Sequence, residues 1–392
     1  MKTLKRTWAD ISLDNLEYNY RSIRAHLPQG TKFLGVMKAD AYGHGAVPVS
    51  RALADLGAEY LAVSNLEEAV QIRRGEVRLP ILILGYTPAE YAANMIFLDI
   101  TQEVHSLEYA RELNEALAGT NYILNVHLKL DTGMTRIGFF AYDNERTLDE
   151  LRQVAQLPHL HIEGVFMHFC VADSRAEADV SFTKLQYKRF MDMLSAMAGV
   201  GIRAEIRHCC NSGATILYPE FALDMVRPGI ITYGNAPSEE LEGAISLRPM
   251  MSLHSMIAQV RTVPAGTDIS YGRLYRTTHD TRVAVLPIGY ADGLSRLLTG
   301  KASFYLQGHQ VPVIGRICMD MCMIDVSGVP EAKPGDVVTI FGYDDDGTLL
   351  PCERLARAQG TINYELLCQI SKRIPRICHR GTETSQILQY IV

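Results

Sequence analysis

Phe33-Leu34-Gly35-Val36-Met37-Lys38-Ala39-Asp40-Ala41-Tyr42-Gly43-His44-Gly45 is the stretch that decides the architecture. Its first five residues form an apolar run, the pattern of a parallel strand buried on both faces. A lysine stands where the run stops, followed by small residues, a tyrosine and two glycines around a histidine. Desolvation disfavours an ammonium group. A lysine closing a buried strand is therefore either solvated at the strand mouth or kept as a neutral amine for chemistry. The second use is that of a Schiff-base lysine beside an aldehyde cofactor.

Outward from this stretch, short apolar runs alternate with amphipathic segments. The runs cover 33–37, 60–64, 81–84, 95–99, 126–130, 162–169, 204–208 and 225–231, and each predicts a strand. Helical spacing fills 65–74, 106–117, 144–156 and 181–198. Ahead of them, Ser12 is placed to cap a helix with apolar positions at Leu13, Leu16, Tyr20, Ile23 and Leu27. Alternating strands and helices predict a parallel sheet covered by helices. About eight such units over roughly 220 residues suit a (β/α)8 TIM barrel. The alternative, a doubly wound sheet, usually carries a Gly-rich dinucleotide loop, and the sequence contains neither G-x-G-x-x-G nor a P-loop.

The pattern changes near Asn235. Helical periodicity fades and β-type runs follow at 252–263, 282–287, 303–306, 311–317, 322–326 and 337–341. Late helices are expected at 351–358 and 362–371, and the tail beyond Arg380 reads as polar and mobile until Ile387. The expected fold class is thus α/β: an N-terminal (β/α)8 barrel over 12–235 and a mostly-β domain over 236–384.

Composition is that of an ordinary globular chain: 392 residues, 47% hydrophobic and 21% charged, with a formal net charge of −6. No basic tract points to nucleic acid, and no apolar stretch is long enough to span a bilayer. The basic start lacks an apolar h-region, so a cytoplasmic protein is expected. The 8 cysteines contain no C-x-x-C pair and read as buried thiols; no metal site is expected.

The lysine segment with Ala39-x-Ala41-Tyr42-Gly43-His44-Gly45 resembles the pyridoxal 5'-phosphate lysine motif of the alanine racemase family. Further motifs come in that family's order, from Trp8 to about Arg380. They are Asp131-Thr132-Gly133-Met134-x-Arg136, Met167-His168-Phe169, Asn211-Ser212-Gly213, Arg227-Pro228-Gly229-Ile230, Ser270-Tyr271-Gly272, Gly315-Arg316-Ile317-Cys318-Met319-Asp320 and Asn363-Tyr364-Glu365. The resemblance implies a racemase that interconverts L-alanine and D-alanine by two-base proton transfer, supplying D-alanine for peptidoglycan. Lys38 and Tyr271 are the implied bases, one for each face of the substrate's Cα. The cofactor would be held by Lys38, Tyr42, His168, Ser212, Arg227, Gly229, Ile230 and Tyr364. Arg136 and Met319 would meet the substrate carboxylate, which arginine can bind in bidentate fashion.

Lys129 matches a lysine that several family members carry as a carbamate, and Asp173, Tyr290, Arg296 and Arg316 match the entrance to the site. Arg227 stands where many pyridoxal enzymes put a carboxylate. An always-charged arginine leaves the ring nitrogen largely unprotonated and makes a weaker electron sink. The resemblance also implies that an N-terminal strand, 2–11, joins the β-domain, and that two chains form a head-to-tail homodimer with shared sites. Met321 departs from the glutamine expected after Asp320. The same machinery would serve a racemase of serine or another amino acid. An amino-acid decarboxylase would share the barrel but lack the Tyr271 and Met319 motifs in this order. A non-enzymatic pyridoxal-phosphate carrier, a single barrel, would lack the β-domain.

Overall fold

A computed structural model describes residues 6–142 and 144–391. Contacts divide the chain into two units. One comprises Leu16–Ala41 and Ala46–Arg248; the other comprises the residues up to Asn15, Tyr42–Gly45 and Pro249 onward.

In the first unit, eight strands lie parallel in the order Met225–Val226, Lys32–Val36, Tyr60–Val63, Ile81–Ile83, Ile100–Val104, Leu124–Asp131, Leu160–Phe166 and Ile206–His208. Between the two ends of the sheet, Asp224 donates its backbone N–H to Arg207 O at 3.1 Å, and Arg227 donates its backbone N–H to Cys210 O at 2.9 Å. These bonds nearly close the sheet into a barrel, as the alternating pattern predicts. Helices such as Leu66–Arg74, Leu107–Ala116 and Glu177–Gly199 follow their strands. Asn65 and Ser106 cap two of them, accepting from Glu68 N and Tyr109 N.

The run 95–99 is not a strand. Ala92–Phe97 is helical, with Ala92 and Met95 buried three residues apart and Phe97 exposed. A short apolar run fits either period, and here the helical one wins. The strand of that unit is Ile100–Val104, whose five residues are all buried. It escapes an apolar search because Thr101, Gln102 and Glu103 point into protein rather than water.

The second unit is strand-rich. Thr7–Ser12 lies inside an eight-stranded sheet, antiparallel to Met251–Met256 and parallel to Arg376–Arg380. Of the expected strand 2–11, positions 2–5 lie outside the described residues. Val337–Tyr343, Ser303–Leu306 and His309–Pro312 extend the sheet on the far side of Met251–Met256. A three-stranded sheet of Gln259–Val263, Thr281–Leu286 and Cys322–Asp325 packs around Ile269, Val283 and Ile314. The run 252–263 therefore splits into two strands in different sheets. The tail is ordered: Glu383–Leu388 pairs antiparallel with Arg376–Arg380. Cross-strand backbone bonds fix a polar strand as well as an apolar one. Ser12 does accept from Asn15 N at the start of helix Leu13–His26, at 3.2 Å.

The cysteines divide. Cys209, Cys210, Cys322, Cys352 and Cys378 are buried, but Cys170 and Cys368 are exposed and Cys318 is half-buried, against the expectation that all are core thiols. No helix of the described residues is long and apolar enough to cross a membrane.

Candidate active site

Lys38 follows the strand Lys32–Val36 and is exposed at its C-terminal mouth, the end of a barrel where active sites lie. The backbone after it is unusual. Ala39, Asp40, Ala41 and Tyr42 have φ of 53°, 55°, 56° and 51°, a left-handed turn built without glycine. Each such residue costs about 1–2 kcal/mol. Specific bonds hold the turn: Ala39 N donates to Glu68 Oε1 at 2.6 Å, Ala46 N to Asp40 Oδ1 at 2.7 Å, and Ala41 N to Met37 O at 2.8 Å. Glu68 also accepts from Ser64 N, tying the turn to the neighbouring strand. Strain held by several partners is a mark of functional sites.

Arg227 lies just past the last barrel strand and is 4% exposed. Its guanidinium donates to Met167 O at 2.7 Å, Cys209 O at 3.2 Å and His208 Nδ1 at 3.0 Å, and lies 3.4 Å from His168 Nδ1. Burial lowers its pKa to about 10, so it stays charged near neutrality. His168, half-buried at the end of Leu160–Phe166, is pushed well below the usual imidazole range by burial and then by Arg227, Lys129, Arg136 and Lys38. It is a neutral ring in a field of cations.

Lys129 is buried on Leu124–Asp131, its Nζ 3.3 Å from Leu130 O and 5.1 Å from the Phe166 ring. Burial, and then the charges of Arg227 and Arg136, lower its pKa to about 7. Arg136 is exposed in the following loop. Asp131 shapes that loop by accepting from Gly133 N and Thr135 N, at 2.9 and 3.0 Å.

Ser212 opens the short helix Ser212–Leu217, which Asn211 caps by accepting from Ala214 N. Gly229 N donates to Ser212 Oγ at 2.9 Å, so Ser212, Gly229 and Ile230 meet. Gly213 permits a close approach: a Cβ there would lie 2.9 Å from Asp173 Cβ and from the Asp173 backbone nitrogen. Asp173 itself is raised in pKa, chiefly by burial.

The strand-rich unit assembles the other candidates. Tyr42 is buried, its ring 6.0 Å from that of Tyr364, and burial drives its pKa up. Tyr271 stands 69% exposed on a one-turn helix. The preceding Ser270 donates to Arg316 O at 2.7 Å, and a Cβ at Gly272 would lie 3.2 Å from the Arg316 guanidinium. Tyr290 N donates to Cys318 O at 3.0 Å, and Ala291 N to Met319 O at 2.9 Å. Ile317 N reaches Thr299 Oγ1, three residues beyond Arg296. Tyr271, Tyr290, Arg296, Arg316 and Met319 thus share one region of this unit.

Some residues beside the candidate site escape sequence reading. His208 and His127 are buried beside Arg227, His127 Nδ1 lying 2.8 Å from His208 Nε2. Glu163 completes that group at 3.1 Å from His127 Nε2. Their signal is weak: polar residues inside strands otherwise read as apolar.

Comparison with known proteins places the whole chain. The sequence models of the alanine racemase N-terminal and C-terminal domains match residues 11–237 and 250–378. An alanine racemase of Desulfovibrio desulfuricans is 46% identical over 94% of this chain and 97% of its own length. One of Clostridium tetani is 42% identical with 100% of both chains covered. A solved alanine racemase of Clostridium difficile 630 superposes with a TM-score of 0.93 at 39% identity, covering 100% of each chain. Another, from Bacillus anthracis with bound L-Ala-P, gives 0.93 at 33% identity, covering 100% of this chain and 99% of its own. With both domains matched in order and full-length relatives well above 30% identity, the chain belongs to the alanine racemase family.

Proposed function

We propose that this chain interconverts L-alanine and D-alanine with pyridoxal 5'-phosphate, Lys38 and Tyr271 acting as the two bases. The observation that carries the reading is the set of groups around the barrel mouth in a chain of this family. They are an exposed primary amine on a strained turn, a buried arginine pinned by four acceptors, and a serine tied to a glycine amide. The donor set fits the cofactor. Ser212 and the amides of Gly229 and Ile230 suit a phosphate. The family resemblance assigns Tyr42 and Tyr364 to the phosphate as well, and His168 to the ring. When bound, the cofactor supplies an aldehyde for an amine and a ring that draws electron density from the substrate's Cα–H bond.

The chain's own groups do the rest. Arg136 binds the substrate carboxylate, with Met319 beside it. Lys38 Nζ holds or returns a proton on one face of Cα, and the Tyr271 hydroxyl does so on the other. Arg227 keeps its proton, so beside a ring nitrogen it would donate a hydrogen bond without giving that proton up. A Lys129 amine with a pKa of about 7 is substantially neutral at physiological pH and competent to attack carbon dioxide. The C–N bond forms, a proton leaves to solvent, and the resulting carbamate anion orients Arg136. The family resemblance assigns Asp173, Tyr290, Arg296 and Arg316 to the entrance.

The chain works as a head-to-tail homodimer in which Lys38 of one subunit meets Tyr271 of the other. A catalytic tyrosine 69% exposed in its own chain supports that arrangement. The setting is the cytoplasm, where D-alanine feeds peptidoglycan. Thiols left free at Cys170, Cys209, Cys210, Cys318 and Cys322 accord with a reducing compartment.

The test is racemisation of a panel of L-amino acids, serine included, by purified protein with and without added cofactor. Cofactor-dependent turnover fastest on alanine supports the reading, with borohydride fixing the cofactor to Lys38. Fixation at another lysine, or faster turnover of serine, overturns it.

A further inference from the structure

A line of hydrogen bonds crosses the barrel interior from Arg227 to Glu163. Arg227 Nη1 lies 3.0 Å from His208 Nδ1, His208 Nε2 lies 2.8 Å from His127 Nδ1, and His127 Nε2 lies 3.1 Å from Glu163 Oε2. The same carboxylate oxygen accepts from the Tyr60 hydroxyl at 2.8 Å and from Thr101 Oγ1 at 3.2 Å. Space is reserved for the line. A Cβ on Gly164 would lie 2.5 Å from the His127 ring, so only glycine beside Glu163 admits that imidazole. The His208 ring in turn stacks on Phe166, with centroids 4.9 Å apart and an interplanar angle of 6°.

Arginine sets the polarity of the line, because a guanidinium donates and cannot accept. His208 Nδ1 must therefore be bare, and its proton sits on Nε2. That proton needs His127 Nδ1 as acceptor, so the His127 proton sits on Nε2 and points at Glu163. Reversing the line brings a His208 N–H against an arginine N–H at 3.0 Å. Adding a proton to either ring ends in the same clash. Both rings are thus neutral Nε2–H tautomers, and Glu163 is an anion. The surroundings agree. Burial and then Arg227 push His208 well down, and burial lowers His127 despite Glu163. Burial alone would raise Glu163, but hydrogen bonds from His127 and Tyr60 outweigh it and hold it low. The other charged groups facing this region are Lys129, Arg136 and Lys38 on the cationic side, with Asp131, Glu103 and Asp99 on the anionic side.

We propose that Glu163 is a positioning residue for the reaction: through the fixed tautomers of His127 and His208 its carboxylate orients and polarises the Arg227 guanidinium. This rests on the reading of Arg227 as the cofactor's ring partner. A guanidinium whose Nη1–H meets a strongly polarised acceptor is a poorer acid at its remaining N–H groups. Glu163 therefore helps Arg227 keep its proton, from two imidazoles away.

Two experiments test this. Neutron diffraction from deuterium-exchanged holoenzyme crystals should show deuterium on Nε2 of both His127 and His208, and none on the Glu163 carboxylate. Deuterium on either Nδ1, or on Glu163, overturns the proposal. Glu163→Gln keeps the shape and the accepting oxygen, so a merely space-filling role predicts wild-type behaviour. The proposal predicts kcat lowered about tenfold with KM within about twofold, and a shifted pH profile. An unchanged profile overturns it. If the variant does not fold, the deuterium map decides alone. Absence of racemisation in the wild type would sink the functional reading and leave the tautomer assignment standing on that map.

Discussion

The Tyr233 hydroxyl donates to the Val36 carbonyl at 2.6 Å, two residues before Lys38. Both residues are buried, so the bond pins the end of the strand that presents the lysine. Tyr233→Phe leaves that carbonyl without this donor in a dry site, at a cost of about 1–3 kcal/mol. The expected result is a lower denaturant midpoint with an unchanged m-value, together with weaker cofactor retention. A midpoint equal to wild type would refute the pinning role.

Gly43 has φ of 81°, and a Cβ there would lie 2.5 Å from Leu367 O. Arg376 Nε also donates to Gly43 O at 2.9 Å, which leaves the segment no room to shift. Gly43→Ala should lower stability by at least about 1 kcal/mol and reduce cofactor-dependent activity. Equilibrium denaturation together with a cofactor titration checks both effects.

Lys129 gives a pH signature. Its folded pKa of about 7 lies below the ordinary 10.5, so between these values the unfolded chain binds the extra proton and stability rises with pH. Below about pH 7 both states are charged and the full burden of the buried ammonium is felt. Lys129→Met, in bicarbonate-free buffer, should therefore be more stable than wild type at pH 6.5. That advantage should shrink steadily towards pH 10. Denaturation midpoints across this range provide the check; an advantage independent of pH would count against the buried cation.

Complementation tests the shared site. Lys38→Ala and Tyr271→Ala should each be inactive alone. In a mixed dimer, one site inherits both defects while the other receives an intact Lys38 from one chain and an intact Tyr271 from its partner. Activity should return at one site per mixed dimer. Native mass spectrometry would establish that mixed dimers formed, and their continued inactivity would exclude a site built from two subunits.

Much of the architecture was legible in the amino-acid sequence because strand and helix periods are local. The run ending at Met37, the helical spacing over 65–74 and 106–117, and the fading of that spacing past Asn235 all depend on residues a few positions apart. The family was legible for the same reason: Lys38 to Gly45 and Ser270 to Gly272 are continuous segments that carry the resemblance. Tertiary structure decided the rest. It made Ile100–Val104 a strand and Ala92–Phe97 a helix, because only packing reveals that Gln102 and Glu103 face protein. It ordered the tail through pairing with Arg376–Arg380, which no local pattern announces. It also joined Arg227, His208, His127 and Glu163, which lie on four separate stretches of the chain, into one polarised line. A buried polar residue needs partners, and those partners come from neighbouring strands that only the closing of the barrel brings within hydrogen-bond reach.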